Sequence, residues 1–173
     1  MGMQTDVKQA HLNQSAFFVK SPVRVKAISF YKATGEAGGE LVLFDTSTAP
    51  VTSGVTYARS TTTVTVTQNN HGLITGNVIG IHFSPTGGIS ATDGTYTITR
   101  VDANSFTLTD INSGTISGSP AAVYVVGRWL MTYECSGSDT FQNVPFVPGE
   151  GVRADVSVYG YLNNIAAAQI FYG

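Results

Sequence analysis

The chain has 173 residues, of which 12% are charged, a formal net charge of -2 and one cysteine, Cys135. A chain of this length buries a sizeable core, and a lone cysteine excludes an intrachain disulfide framework. The charges are scattered without a basic stripe, which argues against backbone-driven binding of nucleic acid. We interpret the largest local excess of positive charge as solvent-facing strand positions, namely Lys20, Arg24, Lys26 and Lys32.

The composition favours strands over helices, since Val, Ile, Thr, Tyr, Phe and Gly are plentiful and Lys, Glu and Leu are scarce. No apolar run approaches the ~20 residues of a membrane-spanning helix. The N-terminal residues contain no apolar segment, so we expect no signal peptide and no membrane partner. The chain is therefore predicted to be all-β.

Residues 1 to about 20 predict a terminal arm in which Phe17 and Phe18 would point to opposite faces of a strand. The segment 24–33 alternates between polar and apolar residues, and the alternation slips at Ala27 and Ile28, which indicates a β-bulge. The apolar segment 39–47 follows a glycine-rich turn. These two segments are predicted to pair as a hairpin, with the second strand buried on both faces.

The segment 60–119 is predicted to be a separate small β-module. Strict alternation at residues 63–67 places Val64 and Val66 inward. Gly72 and Gly76 are predicted to have positive φ, Asn70 to cap its own turn, and Asn104 to adopt the left-handed conformation.

The apolar segment 121–135 predicts two strands that meet at a kink at Gly127, with Trp129 and Leu130 in the core. Two prolines restrict the following segment to an edge strand or a loop, and Pro148 to Gly151 predict a turn. Residues 152–172 are predicted to form a second hairpin around Asn163 and Asn164, with the last strand tied into a sheet.

These patterns predict a β-sandwich or jelly-roll-like outer domain, 1–59 plus 120–173, interrupted by an inserted β-barrel module, 60–119. Neither flanking segment alone has enough strands for two packed sheets, so the two are expected to fold together.

Catalytic and metal-binding patterns are weak in this sequence. His71 and His82, with Asp93, are the best candidates for a metal site, but we favour a turn position for His71 and an outward strand position for His82. Asp93, Asp102 and Asp110 have the spacing of turn acids, and no calcium-loop, nucleophile or phosphate-loop motif is present. We predict no catalytic, cofactor-binding or metal-binding residue, no cofactor and no enzymatic activity.

The central segment contains three motifs in order: N-H-G-L-x-x-G-N-V-I, then D-G-T-Y-T-I-T, then V-D-A-N-S-F-T-L. This order resembles the small β-barrel module named after the first catalytic cysteine half-domain (FCCH) of ubiquitin-activating enzymes, copies of which recur as insertions in virion proteins of tailed phages. The resemblance implies a fold and a phage context, and it implies no chemistry.

The flanking segments contain R-V-K-A-I-S-F-Y, G-E-L-V-L-F-D-T, F-V-P-G-E-G-V and a terminal I-F-Y-G. They resemble small β-sandwich structural proteins of tailed phages. The two resemblances imply a decoration or cement protein on the phage head, made in the host cytoplasm and located at the particle surface. The implied partners are the major capsid protein or other virion proteins and further copies in a homotrimer.

Candidate contact residues between subunits are two in the N-terminal arm and three in the last strand, namely Phe17, Phe18, Ile170, Phe171 and Tyr172. Two other functions stay open. One is a tail, tail-fibre or adaptor subunit of the virion. The other is a host-receptor or glycan-binding module, for which the candidate platforms are Trp129, Tyr159 and Tyr161.

Overall fold

The computed structural model describes residues 7–85, 89–136, 141–145 and 150–173. These residues form sixteen strands and no helix, so the all-β prediction is confirmed. The strands in chain order are β1 (Lys8–Leu12), β2 (Ala16–Val19), β3 (Val23–Lys32), β4 (Gly39–Asp45), β5 (Thr56–Ser60), β6 (Thr63–Thr67), β7 (Val78–Phe83), β8 (Gly94–Thr97), β9 (Thr99–Arg100), β10 (Ser105–Thr109), β11 (Ala122–Val126), β12 (Arg128–Cys135), β13 (Phe141–Pro145), β14 (Val152–Ala154), β15 (Val158–Asn163) and β16 (Ile165–Tyr172).

The chain divides into two compact units. The central unit is Pro50–Trp129, and the terminal unit is Met1–Ala49 together with Leu130–Gly173. The predicted module 60–119 is therefore ten residues too short at each end. The reason is strand pairing: β5 pairs with β6 along its whole length and β11 pairs with β7, so both strands belong to the central unit.

The terminal unit is a β-sandwich. One sheet has the order β1-β16-β3-β13, with β14 also paired to β3, and the other has the order β12-β4-β15-β2. The alternating apolar residues of both sheets form one core. Its buried members are Phe18, Val25, Ile28, Phe30, Leu41, Leu43, Cys135, Ala154, Val158, Ile165, Ala168 and Ile170.

Both predicted hairpins of the terminal unit are wrong. The chain does reverse direction after β3 and after β15, but β3 and β16 lie in one sheet while β4 and β15 lie in the other. Each turn therefore carries the chain from one sheet to the other. The two turns lie side by side, since the Ala33 N–H donates to the Asn164 carbonyl oxygen at 2.8 Å. A Cβ on Gly39 would lie 2.7 Å from that same oxygen, so this position has no room for a side chain.

The β-bulge predicted in β3 is confirmed. Phe171 of β16 is opposite Ala27, whereas the next residue, Tyr172, is opposite Val25, so one residue of β3 is skipped. This slip lets both Val25 and Ile28 face the core, where both are fully buried.

Several other sequence predictions agree with the structure. Residues 41–44 of β4 are fully buried on both faces, and Gly127 separates β11 from β12 with a φ of 151°. Leu130 is partly buried and packs against the sandwich core, as predicted, whereas Trp129 is partly buried and is not part of either core. Pro148 and Gly149 of the predicted turn at 148–151 lie outside the described residues.

The central unit contains two small sheets, with the orders β5-β6-β10-β9 and β11-β7-β8. The two sheets are joined at both ends. At one end, isolated backbone bridges Thr56–Ala121 and Arg59–Ile116 connect β5 to the segment that leads into β11. At the other end, the chain passes from β8 of one sheet to β9 of the other through the single residue Ile98. The unit encloses its own core of Val55, Tyr57, Val64, Val66, Leu73, Ile79, Ile81, Phe83, Ala91, Ile98, Phe106, Leu108, Ile116, Ala122 and Tyr124.

Turn chemistry in the central unit follows the sequence only in part. Gly72 and Gly76 have φ of 69° and 94°, as predicted. Asn104, however, is not among the residues with positive φ, and Asn70 has that conformation instead, with a φ of 52°. The Asn104 side chain acts as the cap, because its Oδ1 accepts the Asn70 N–H at 3.0 Å.

Because the central unit closes its own sheets and core, we predict that a fragment 50–129 folds alone. Circular dichroism and a dispersed amide NMR spectrum check this expectation, and a single cooperative thermal transition should accompany them. A fragment with collapsed amide dispersion at 20 °C would contradict the independence of this unit.

Candidate functional site

The five predicted contact residues have different environments. Phe18 and Ile170 are 8% and 0% exposed and belong to the sandwich core. They therefore offer no surface to a partner unless the terminal unit opens. Phe17, Phe171 and Tyr172 are partly exposed. The sequence could not separate these groups, because adjacent strand residues have opposite faces and the inward face was not known.

Phe171 lies on the outer face of the sheet that contains β1, β16 and β3. In β16, Ala168 and Ile170 face the core, so Gln169 and Phe171 face away from it. Residues of β1, β3 and β13 that are paired in register with these positions also face outward. We call this set the outer-face patch: Gln9, His11, Ala27, Ser29, Asn143, Gln169 and Phe171.

The outer-face patch contains no Lys, Arg, Asp or Glu. Its residues make a regular ladder, in which the Gln169 amide donates to Gln9 Oε1 at 2.7 Å and Phe171 is flanked by Gln9 and Ala27. A charged pair lies further along β3, where Arg24 Nη2 is 3.5 Å from the Glu150 carboxylate. A centre that contains an aromatic residue and lacks Lys, Arg, Asp and Glu, with a charged margin, is typical of a protein contact surface.

The N-terminal arm forms two edge strands, because β1 ends one sheet and β2 ends the other. The Ser15 hydroxyl joins the arm to β15 by accepting the Leu162 N–H at 2.9 Å. Phe17 packs edge-on against Tyr159, with ring centroids 4.9 Å apart, and Lys20 Nζ lies 5.2 Å from the Phe17 ring centroid. The arm is thus part of the sandwich, and its β1 edge lies beside the outer-face patch.

The central unit contains a buried ion pair between Arg59 and Asp110, which the sequence analysis missed. Asp110 Oδ1 also accepts the Asn112 N–H, and Arg59 Nε donates to the Gly114 carbonyl oxygen. Arg59 follows Tyr57 at an inward position of β5, and this alternation was the available signal. The pair ties the end of β5 to the segment after β10.

The Asp110 carboxylate is stabilised in its charged form. Burial by itself raises the pKa of Asp110, but hydrogen bonds from Thr92, Asn112 and Arg59 lower it by more than burial raises it. The pKa of Asp110 is therefore below its ordinary value, and the group supports folding as a carboxylate.

The two histidines that were weighed as metal ligands have different hydrogen-bond partners. His71 Nδ1 accepts the Leu73 N–H at 3.0 Å, so Nε2 carries the proton and donates to the Asp102 carbonyl oxygen at 3.0 Å. Both ring nitrogens thus hold a turn, as predicted for His71. No cluster of three potential metal ligands occurs in the part of the chain that the structure describes.

The outward position predicted for His82 is wrong, because His82 is only 2% exposed. Its Nδ1 lies 2.7 Å from Asp93 Oδ2, and Asp93 Oδ1 accepts the Phe83 N–H at 2.8 Å. Strand β7 is buried on both faces, since a Cβ on Gly80 would lie 2.2 Å from the Trp129 nitrogen. Simple alternation therefore could not identify an exposed face in β7.

A second buried carboxylate, Asp45, organises the terminal unit. Its Oδ1 accepts the N–H groups of Val156 and Ser157, and its Oδ2 accepts that of Asp155, at 2.8 to 3.0 Å. The carboxylate ends β4 and fixes the turn that precedes β15. The carboxylate thus provides hydrogen-bond acceptors for three backbone N–H groups that lie between β14 and β15.

We predict that Asp110→Asn lowers the free energy of unfolding of the central unit by about 3 kcal/mol, because it leaves the Arg59 charge buried without a carboxylate. Urea titration of the full chain, with a fluorescence or NMR signal from this unit, measures the change. Asp155→Asn, at a partly exposed position of the terminal unit, is the matched control and should change this transition by less than about 0.5 kcal/mol. Equal effects of the two substitutions would contradict this role for the ion pair.

The lowered pKa of Asp110 also predicts acid sensitivity of the central unit. The contribution is complete above the unfolded-state pKa of about 3.9 and is lost as pH falls through the lower folded-state pKa. We therefore expect the free energy of unfolding to decline below about pH 4, and to decline less steeply in Asp110→Asn. Urea titrations between pH 2.5 and 7 measure both slopes, and identical slopes would contradict the expectation.

No protein-family model matches the chain, and no curated protein or solved structure matches it. The resemblances of the central and flanking segments to phage and FCCH-like modules therefore stay predictions. The described residues contain no helix of the length and apolar character that a membrane crossing needs.

Proposed function

We propose that the chain is a non-enzymatic structural protein of a tailed-phage virion, and specifically a capsid decoration or cement protein. It binds and stabilises the outer surface of the head. Its partners are the major capsid protein or other virion proteins and further copies of itself in a homotrimer. The observation that carries the proposal is the outer-face patch next to the open β1 edge.

The patch supports attachment through its composition. Charged groups are costly to desolvate in the centre of an interface, and this patch contains none of Lys, Arg, Asp or Glu. Phe171 supplies apolar area that a partner can cover, and the amides of Gln9 and Asn143 can form hydrogen bonds across the contact. The β1 edge adds backbone donors and acceptors to which a partner strand can pair.

Polar contacts of buried side chains support a structural role for the rest of the molecule. Arg59 with Asp110, and His82 with Asp93, hold loops of the central unit. Asp45 holds a turn of the terminal unit through three backbone donors. Each of these contacts holds a loop or a turn in place and thereby stabilises the fold.

The motif order of the central segment and the pattern of the flanking segments support the phage context. In that context many weak contacts act together, because a head lattice repeats the same binding site. A contact of modest area on each subunit is then enough to link neighbouring capsid proteins. The particle surface is accordingly the proposed location.

A tail, tail-fibre or adaptor subunit is the alternative virion assignment, and it would use the same patch. Glycan binding at the platforms named from the sequence has less support. Burial raises the pKa values of Tyr159 and Tyr161, and Tyr159 is buried against Phe17. Neither ring is a freely exposed platform.

The number of copies in purified particles tests the proposal. Quantitative mass spectrometry of virions from the phage that encodes this chain should find hundreds of copies. A dozen copies or fewer would favour the tail assignment, and absence from particles would overturn the virion proposal.

We further predict that Phe171→Arg and Gln9→Arg each weaken binding to purified heads at least tenfold, since both place a charge in the patch. Ile111→Arg is the matched control, because Ile111 is highly exposed in the central unit, and it should bind normally. Sedimentation of protein with heads measures the binding, and thermal unfolding verifies folding. Unchanged binding of both folded patch variants would exclude the patch as the attachment surface.

A further inference from the structure

Two large aromatic side chains are exposed side by side in the terminal unit. Tyr31 is 51% exposed and Phe141 is 47% exposed. They are direct cross-strand partners of β3 and β13, and their ring centroids are 4.8 Å apart with an interplanar angle of 43°. We call this pair the aromatic corner. Cross-strand packing explains why the rings touch each other, but it does not explain why so much ring surface faces solvent.

A depression of about 650 Å³ begins at the Tyr31 ring. It is lined by Tyr31, Ala166 and the turn from Lys32 to Glu36. Thr34 and Glu36 are exposed there, so a hydroxyl and a carboxylate lie at the wall of the depression. The volume is within the range of small-molecule sites in proteins.

The wall of this depression is held in place by the fold. The Ala33 N–H donates to the Asn164 carbonyl oxygen at 2.8 Å, and Lys32 Nζ donates to the Glu36 carbonyl oxygen at 2.8 Å. Gly35 permits the turn with a φ of 87°. A backbone wall that is already ordered loses less conformational entropy when a ligand binds.

We propose that the aromatic corner and the adjoining depression bind a neutral hexose oligosaccharide. A pyranose ring has an apolar face of C–H groups and a rim of hydroxyls, and the site offers an exposed aromatic wall beside polar acceptors. One sugar packs its C–H face on Tyr31, and its hydroxyls donate to the Glu36 carboxylate and exchange hydrogen bonds with Thr34. The depression is lined by one cation, Lys32, and one anion, Glu36, so it has no net charge that would favour an acidic or a basic sugar.

This site adjoins the outer-face patch but shares no residue with it. Ser29 and Asn143 of the patch lie two residues from Tyr31 and Phe141 along β3 and β13, whereas Phe171 is opposite Ala27, about 13 Å from Tyr31 at ~3.3 Å per residue. Sugar binding is therefore a further activity, and it does not depend on the virion proposal. Failure of either one leaves the other standing, because head binding and sugar binding are measured separately.

The test is an NMR titration of the full chain, labelled with ¹⁵N, against maltohexaose, cellohexaose and chitohexaose. We expect at least one of the three to shift amides of residues 31–36 and 141–143 in a saturable manner. Tyr31→Ala and Phe141→Ala should each weaken that binding at least tenfold, whereas Tyr31→Phe, which keeps the ring, should bind within threefold of the parent chain.

Val156→Ala is the matched control, since Val156 is 48% exposed in the same unit, and it should bind normally. Thermal unfolding of every variant separates lost binding from lost folding. The proposal is overturned if none of the three oligosaccharides shifts these amides at 10 mM, or if folded Tyr31→Ala binds as well as the parent chain. It is also overturned if Tyr31→Ala changes the oligomeric state in light scattering and leaves sugar binding intact, since the corner is then a contact between copies.

Discussion

The terminal unit depends on one strand at the very end of the chain. Strand β16 hydrogen-bonds to β1 on one side and to β3 on the other, so it joins residues that are up to 164 positions apart, from Lys8 to Tyr172. Pairing of such distant segments gains its contacts only after a large loop has closed. The sandwich can therefore be completed only when the last strand is in place. The same strand supplies core residues from one face and patch residues from the other, so folding and the proposed attachment depend on a single register.

Buried polar side chains provide hydrogen-bond partners for backbone N–H groups and charges at the ends of strands. Asp45 binds three consecutive N–H groups of the turn before β15, and Asp110 and Arg59 bind each other and neighbouring backbone groups. A buried charge without such partners would cost several kcal/mol. These side chains thus hold turns that no strand partner supports. They explain how two small units with much irregular structure keep defined loops.

The surface features of the terminal unit follow from the two faces of its strands. Alternation sends Ile28 and Phe30 into the core and leaves Ser29 and Tyr31 outside. The outside positions separate into an uncharged polar patch near Phe171 and an aromatic corner near the turn after β3. One sheet thereby presents two chemically different surfaces, suited to a protein partner and to a sugar. Both lie on a sheet whose inner side packs in the sandwich core.

The sequence by itself determined the strand content, the bulge in β3, the kink at Gly127 and the positive φ of Gly72 and Gly76, because these follow from local periodicity and local backbone sterics. It did not determine strand partners. The turns after β3 and β15 were recognisable, yet a turn signal does not say whether the chain pairs with itself or crosses to another sheet. For the same reason the predicted central module was ten residues too short at each end, and Phe18 and Ile170 were named as candidate contact residues although they belong to the core. The pairing of Arg59 with Asp110, of His82 with Asp93 and of Tyr31 with Phe141 joins residues that are 11 to 110 positions apart in the sequence. Only the tertiary structure decided these contacts, because they depend on which strands lie side by side and no local pattern encodes that choice.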